Sequence, residues 1–484
     1  LGCAYSMHNL AVAAGCRTPR ELGDALESVA LPITLSGLTT AVGFVAVSLV
    51  RIDVIRDVGA FGALGVLVVV AATLTAAPAA LRLWPLPARR DRFRHWLGGP
   101  VARGLVAFVG RRRGALLLGW FLALVLVAVG IARIRVESDV VLWFPRHDPI
   151  RVAYDAIRDR FSGISPMNVV IEAPDGASVT TPEVVAALGG LTTYLETLPE
   201  VGRAISIADP LRQLHGGFMG HADGRIPARA DRIEQYLLIL ESTEYVRDLL
   251  TWDRAWANVP LRANDNGSEA LLRVAASAER WWNANGPRGY RARTTGIMYE
   301  FARAEDEIAF GQLRGLGFAI LVIGVILLAI FRSPRLAAVA LVPNALPVAM
   351  AFGTMGLLRI PLDAGTVLVG NLALGIAVDD TIHTVTGFYR ERAGRAGVSR
   401  ALLGAFERVL PPVVFTTLGV SLGFAALGFS GFTFTRNLGI VTAGIMLLCL
   451  AANVLLLPAL LLVGAPRDEP KAPASGLAGL RNLD

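Results

Sequence analysis

Eight apolar runs, at residues 29–50, 58–83, 114–133, 313–331, 335–358, 364–388, 409–430 and 437–463, constrain this chain more than any other feature. Each is close to the roughly 20 residues that a helix needs to cross a bilayer core. In that solvent every backbone polar group must find its partner inside the protein, so such runs are expected to fold as spanning helices. Composition agrees: 54% of the residues are hydrophobic and 18% charged, at a mean hydropathy of +0.54, where soluble domains carry about a quarter charged residues. The chain opens at Leu1 in a short apolar segment that ends near Gly15 and has no basic leader of the secretory kind. It is expected to be the tail of a further helix, cut short.

Between the third and fourth complete runs, residues 134–310 mix polar and apolar positions and are expected to form a separate soluble α+β domain. Within it, 168–173, 270–277 and 291–296 are predicted strands and 181–198 an amphipathic helix. Asp265-Asn266-Gly267 is a predicted turn, and Trp281-Trp282 is expected to serve packing. Arginine sets the orientation, because basic residues near span ends resist translocation. Residues 82–113 carry nine arginines against Asp91 alone, which places that segment in the cytoplasm and the soluble domain on the opposite side. The same rule accounts for the net charge of +7, so no nucleic-acid partner is inferred from it. The tail after Pro466, rich in Pro, Ala and Gly, is expected to be disordered on the cytoplasmic side.

A long-range repeat runs through the apolar part. Arg20, Glu27, Pro32, Gly43, Phe44, Arg56, Gly59 and Pro78 recur, without a gap, as Arg400, Glu407, Pro412, Gly423, Phe424, Arg436, Gly439 and Pro458, an offset of 458 − 78 = 380. Shared apolar composition does not place identical breakers and charges in one register, so the chain carries an internal duplication. Upstream, Tyr5-Ser6-Met7-His8 aligns with Asp380-Thr381-Ile382-His383, which makes the opening segment the counterpart of the run at 364–388. Duplicated membrane halves of this kind place the working site near the midplane between them. Equal halves would also imply a missing N-terminal part of the same protein, with its own outer domain.

Asp379 and Asp380 interrupt an apolar helix, where an ionised carboxylate needs a partner, a wet cavity or a proton. At helical spacing Asn371, Gly375, Asp379 and His383 form one stripe, with Asp380 three residues from His383. Two neighbouring carboxylates in a medium of low dielectric do not both ionise, so one keeps a proton it can exchange. That suits a relay in which Asp379, Asp380 and His383 handle protons. Gly375 would let a neighbouring helix come close, and Thr416 and Thr417 on the next run are candidates to support the relay or simply to pack. Two alternatives stay open: a pair of acids that only pins helices together, and a Na⁺ site.

Phe331-Arg-Ser-Pro-Arg335, Pro343-Asn-Ala-Leu-Pro347 and Gly375-Ile-Ala-Val-Asp-Asp-Thr-Ile-His383 resemble the C-terminal half of RND superfamily exporters. The branch they resemble is the bacterial MMPL-like or predicted-exporter group, related to Patched and to hopanoid exporters. Val136-Glu-Ser-Asp139 and Leu142-Trp-Phe-Pro145 look like the entry to a porter domain of that family. The resemblance implies an α-helical polytopic membrane protein with an inserted extracytoplasmic, ferredoxin-like porter domain. On the family's count, residues 1–83 hold the end of the fourth span and the fifth and sixth, 84–113 a basic cytoplasmic linker, and 114–133 the seventh span. Residues 134–310 are then the porter domain, 311–463 the eighth to twelfth spans, and 464–484 the tail.

The implied function is export of lipids or other hydrophobic and amphiphilic molecules, driven by protons across the bacterial inner membrane, with protons as the coupling ion and no cofactor. The family's relay position in the tenth span falls on Asp379, and its counterpart in the fourth falls on Ala4, followed by Tyr5. Ala4 binds no proton, so coupling would rest on Asp379 and Asp380, with Tyr5 and His8 adding hydrogen bonds across the interface. That departure keeps a non-transporting sterol- or lipid-binding sensor in view, and an accessory motor for protein export shares the same logic. The expected partners are a lipid-like substrate, membrane lipids and the missing N-terminal half, with a homo-oligomer left open. No Ser-His-Asp order, metal-ligand spacing or phosphate loop marks the polar domain as an enzyme.

Overall fold

A computed structural model describes residues 2–13, 16, 18–84, 96–134, 139–220, 224–240, 244–360, 362–393 and 397–464. In chain order its elements are α1 (Gly2–Ala13), α2 (Pro19–Val47), α3 (Asp53–Leu83), a π turn (Leu97–Val101) leading into α4 (Ala102–Ile131), α5 (Pro149–Arg160), β1 (Ser165–Glu172), α6 (Pro182–Leu195), β2 (Val201–Ala204), α7 (Ala208–Met219), α8 (Ala230–Leu240), α9 (Glu244–Arg247), β3 (Trp256–Ala263), α10 (Ser268–Asn285) and β4 (Arg291–Thr295). There follow α11 (Ile297–Phe331), α12 (Pro334–Leu357), α13 (Ala364–Ala393), α14 (Val398–Ala426), α15 (Thr433–Ala451), a second π turn (Ala452–Leu456) and α16 (Leu457–Gly464). The chain divides into two units, one of residues 1–135, 307–430 and 434–484, the other of residues 136–306 with 431–433.

The first unit is a multi-pass membrane protein. Among the described residues seven helices are long and apolar enough to cross a bilayer, and they cover seven of the eight expected runs to within a few residues at the C-terminal ends. The eighth run lies in α13, 30 residues long, which carries both acids. Large apolar side chains such as Phe61, Leu64 and Val68 on α3 and Phe121, Leu122 and Leu126 on α4 are exposed, as faces that meet lipid rather than water must be. Several helices begin well before their apolar runs. The segment expected as a linker up to residue 113 is helical from Leu97, and Arg111, Arg112 and Arg113 are exposed on α4. The physical reason is that arginine is a good helix former, so a basic stretch ends the apolar run without ending the helix. Residues 89–94 of that segment, most of the Val136–Asp139 motif and the tail from 465 lie outside the described residues.

Local chemistry fixes the helix ends. At α2, Pro19 occupies the first turn and the Glu21 N–H donates to Thr18 Oγ1 at 3.2 Å, the arrangement that satisfies an otherwise orphaned helix N-terminus. The repeat also does the same packing work twice. A Cβ on Gly59 would stand 2.7 Å from the carbonyl of Phe44, and one on the repeat-related Gly439 would stand 2.5 Å from the carbonyl of Phe424. At both places two consecutive helices meet so closely that only glycine fits. Gly439→Val is therefore expected to lower the thermal unfolding midpoint of the detergent-solubilised protein by several degrees. An unchanged midpoint would show that this approach is not tight.

The second unit is a β-α-β-β-α-β sandwich. Its antiparallel sheet has the order β2-β3-β1-β4, with Val169 of β1 opposite Val259 of β3 and Thr294 of β4. This is the ferredoxin-like topology that the family resemblance implied. Alternate residues of β1, among them Met167, Val169 and Ile171, are fully buried against α6 and α10 residues such as Leu188, Leu191, Val274 and Ala278. One expectation is overturned: residues 270–277 are not a strand but part of α10. Leu271, Val274, Ala275, Ala278 and Trp282 are buried at helical spacing, and that longer period decides against the short alternating stretch. The Asp265–Gly267 turn is present, the Gly267 N–H donating to Asp265 Oδ1 at 2.8 Å just before α10. Trp282 is 1% exposed in the core, while Trp281 stacks on Tyr194 with ring centroids 6.0 Å apart.

Candidate functional site

The acids of α13 are buried in the membrane unit, each less than a tenth exposed. One turn of helix separates Asp379 from His383, and their facing atoms, Asp379 Oδ1 and His383 Nε2, are 3.3 Å apart. Asp380 points a different way, as the 100° step of a helix requires, and its Oδ2 accepts a 3.4 Å hydrogen bond from Thr417 Oγ1 of α14. Both acids border a cavity of about 20 Å³ whose wall also includes Thr416, Thr417, Met446 and Cys449. That is room for about one water molecule. Thr416 lines the cavity but its hydroxyl donates to Val413 O of its own helix at 3.0 Å, so its polar group serves α14.

Above the acids on the same stripe, Asn371 is fully buried, and its Nδ2 donates to the main-chain oxygen of Gln312 at 3.2 Å and to that residue's Oε1. Gln312, on α11, was not singled out in the sequence because one amide in an apolar run carries no period. At Gly375 the neighbouring helix does come close, and the partner is α2. A Cβ on Gly375 would meet Thr40 Cα at 3.4 Å, and one on Gly43 would meet Asn371 O at 3.2 Å. Thr40, also not foreseen, ties three helices: its Oγ1 donates to Gly375 O at 2.8 Å and accepts from Tyr5 OH of α1 at 3.5 Å. Tyr5 is fully buried, while the side chains of Ala4 and His8 lie outside the described residues.

The structure therefore gathers Asp379, Asp380, His383, Asn371 and Gly375 with Tyr5 and Thr417 around α13, at the junction of the two repeat-related parts of the chain. Carboxylates, an imidazole, hydroxyls and a small cavity can together take up, hold and release a proton inside an apolar bundle. Among the described residues no group of three His, Cys, Asp or Glu side chains is placed to hold a metal ion.

Comparison with known proteins fits this architecture. The chain is 26% identical over 350 residues to a membrane protein of the archaeon Methanocaldococcus jannaschii, a match that spans 70% of this chain and 88% of that one. It is 30% identical over 175 residues to the hopanoid transporter of Burkholderia multivorans, spanning 36% of this chain and 19% of the transporter. In three dimensions it matches the hedgehog release protein of the water bear Hypsibius dujardini with a TM-score of 0.64 at 15% identity, over 96% of this chain and 62% of that one. That match speaks for the fold. The chain thus spans most of the archaeal relative but about a fifth of the hopanoid transporter. The MMPL family matches residues 8–112 and 143–479, most of both units, and the chain belongs to this family of RND superfamily transporters.

Proposed function

We propose that this chain works as part of a proton-driven exporter of lipid-like molecules in the bacterial inner membrane, with the ferredoxin-like domain on the extracytoplasmic side. The observation that carries the reading is the burial of Asp379, Asp380 and His383 on one long helix of the membrane unit, beside a water-sized cavity. Burying two acids in an apolar bundle is expensive, and proteins that do so use them for proton or ion movement. The hopanoid transporter among its relatives favours a lipid-like substrate, and the nine arginines between residues 82 and 113 favour the orientation.

The test is proton flux in proteoliposomes that contain the complete protein and native-membrane lipid extract, with and without Asp379→Asn/Asp380→Asn. Substrate-stimulated flux is expected in the wild type and absent in the double variant. Equal flux in both would remove the acids from coupling. Absence of flux in either, with lipid binding retained, would favour the non-transporting lipid sensor.

A further inference from the structure

Three consecutive residues of α13 face three directions. Asp379 faces His383, Asp380 faces Thr417 of α14, and Thr381 faces Asn344 of α12 and Asn453 of the π turn that follows α15. Thr381 and Asn344 are fully buried and Asn453 is 2% exposed. Asn344 Nδ2 donates to Thr381 Oγ1 at 3.0 Å and reaches Ala340 O of its own helix at 2.8 Å. Thr381 Oγ1 lies 2.6 Å from Asn453 Oδ1 and 3.1 Å from Asn344 Oδ1. A hydroxyl has one proton, so Thr381 donates to one carboxamide oxygen at a time, and the shorter distance selects Asn453.

Two features mark this triad as more than packing. Asn453 Nδ2 is buried without a hydrogen-bond partner, a state that native structures rarely keep unless something else requires the residue. Asn453 also sits in a π turn, an insertion that interrupts the helix ladder and recurs at functional sites. The repeat supplies an internal control. The 380-residue offset places Thr73 at the position of Asn453, and the upstream register places Ser6 at that of Thr381. In that earlier copy α3 runs on as an unbroken helix, and Thr73 Oγ1 merely donates to Val69 O at 2.8 Å. Ala4-Tyr5 stands there in place of Asp379-Asp380. The copy that keeps the acids is thus the copy that has the carboxamide and the π turn.

We propose that Asn344, Thr381 and Asn453 form a latch that fixes the rotation of α13 about its axis and so sets where Asp379 and Asp380 point. These are positioning residues: they touch neither acid side chain and act through the helix between them. The latch rests on the proton-relay reading of the acids and adds the residues that regulate their placement.

In the complete protein, Thr381→Val, which keeps the shape and removes the hydroxyl, is expected to lower substrate-stimulated proton flux about tenfold, the factor that one buried hydrogen bond corresponds to. It is also expected to move the pH of half-maximal flux. Thr381→Ser, which restores the hydroxyl, rescues both. Asn453→Leu repeats the valine result and carries the test should Thr381→Val not reach the membrane. A folded Thr381→Val protein with wild-type rate and pH profile would overturn the latch, as would a serine variant no better than valine. If Asp379→Asn/Asp380→Asn abolishes flux while Thr381→Val keeps the wild-type rate and pH profile, the latch alone falls. If the double acid variant keeps its flux, the relay reading falls first.

Discussion

Asp380→Asn alone is expected to bring substrate-stimulated proton flux down by about a hundredfold or more, the scale on which a positioned proton-transfer group contributes. Asparagine keeps the shape of the side chain and its Oδ1 can still accept from Thr417 Oγ1, now 3.4 Å from the carboxylate. The variant should therefore fold and insert, and what it loses is the titratable group. Asp379→Asn is expected to have a comparable effect, because the two acids border the same water-sized cavity and share one proton economy. His383→Gln should lose less, about tenfold, since it removes only the imidazole that faces Asp379 at 3.3 Å and leaves both carboxyls. Proteoliposome flux measured on the three single variants, with insertion checked by membrane yield, decides the order. Should Asp380→Asn retain wild-type flux while Asp379→Asn loses it, coupling would run through the Asp379–His383 pair alone.

Much of this was legible before any coordinates. Spans announce themselves because lipid forces every backbone group into a helix, and acids inside a span are conspicuous because their burial is so unfavourable. Gly375 was legible because in a membrane small residues are where helices meet, whereas Gly59 and Gly439 stood out only as members of the repeat. Less visible was anything that depends on which helix is the neighbour. Thr40 and Gln312 bond to the main chain of Gly375 and the side chain of Asn371 from helices hundreds or tens of residues away, and a lone hydroxyl or amide in an apolar run gives no periodic signal. The π turn at Ala452–Leu456 is equally silent: Pro458 follows it, but the repeat-related Pro78 stands in an unbroken helix, so the proline alone does not announce the turn. In the ferredoxin-like domain the error at 270–277 came from a window too short to separate the two periods. Strand β3 was missed although its burial alternates cleanly, with Ala257, Val259, Leu261 and Ala263 inward, because Pro260 at its centre reads as a breaker.

The ferredoxin-like domain offers the second large effect. Trp282 is the largest fully buried side chain among the described residues, 1% exposed among Leu195, Ala278 and their neighbours, and its Nε1–H donates to Tyr290 O at 3.3 Å. Trp282→Ala removes that contact area, opens a cavity and takes away the hydrogen bond, a combined loss of about 3–5 kcal/mol. A domain of this size is stable by only about 5–15 kcal/mol, so the variant should populate unfolded or locally open forms of the sandwich to a measurable extent. Limited proteolysis of the membrane-embedded protein reads this directly: cleavage within residues 136–306 should accelerate by at least an order of magnitude, the equivalent of about 1.4 kcal/mol. Trp252→Ala is the matched control, because that side chain is 90% exposed and its removal opens no cavity. Equal protease resistance of Trp282→Ala and wild type would mean that the sandwich does not rest on the core described for it. Accelerated cleavage in both variants would mean that Trp252, for all its exposure, is held by something the isolated chain does not contain.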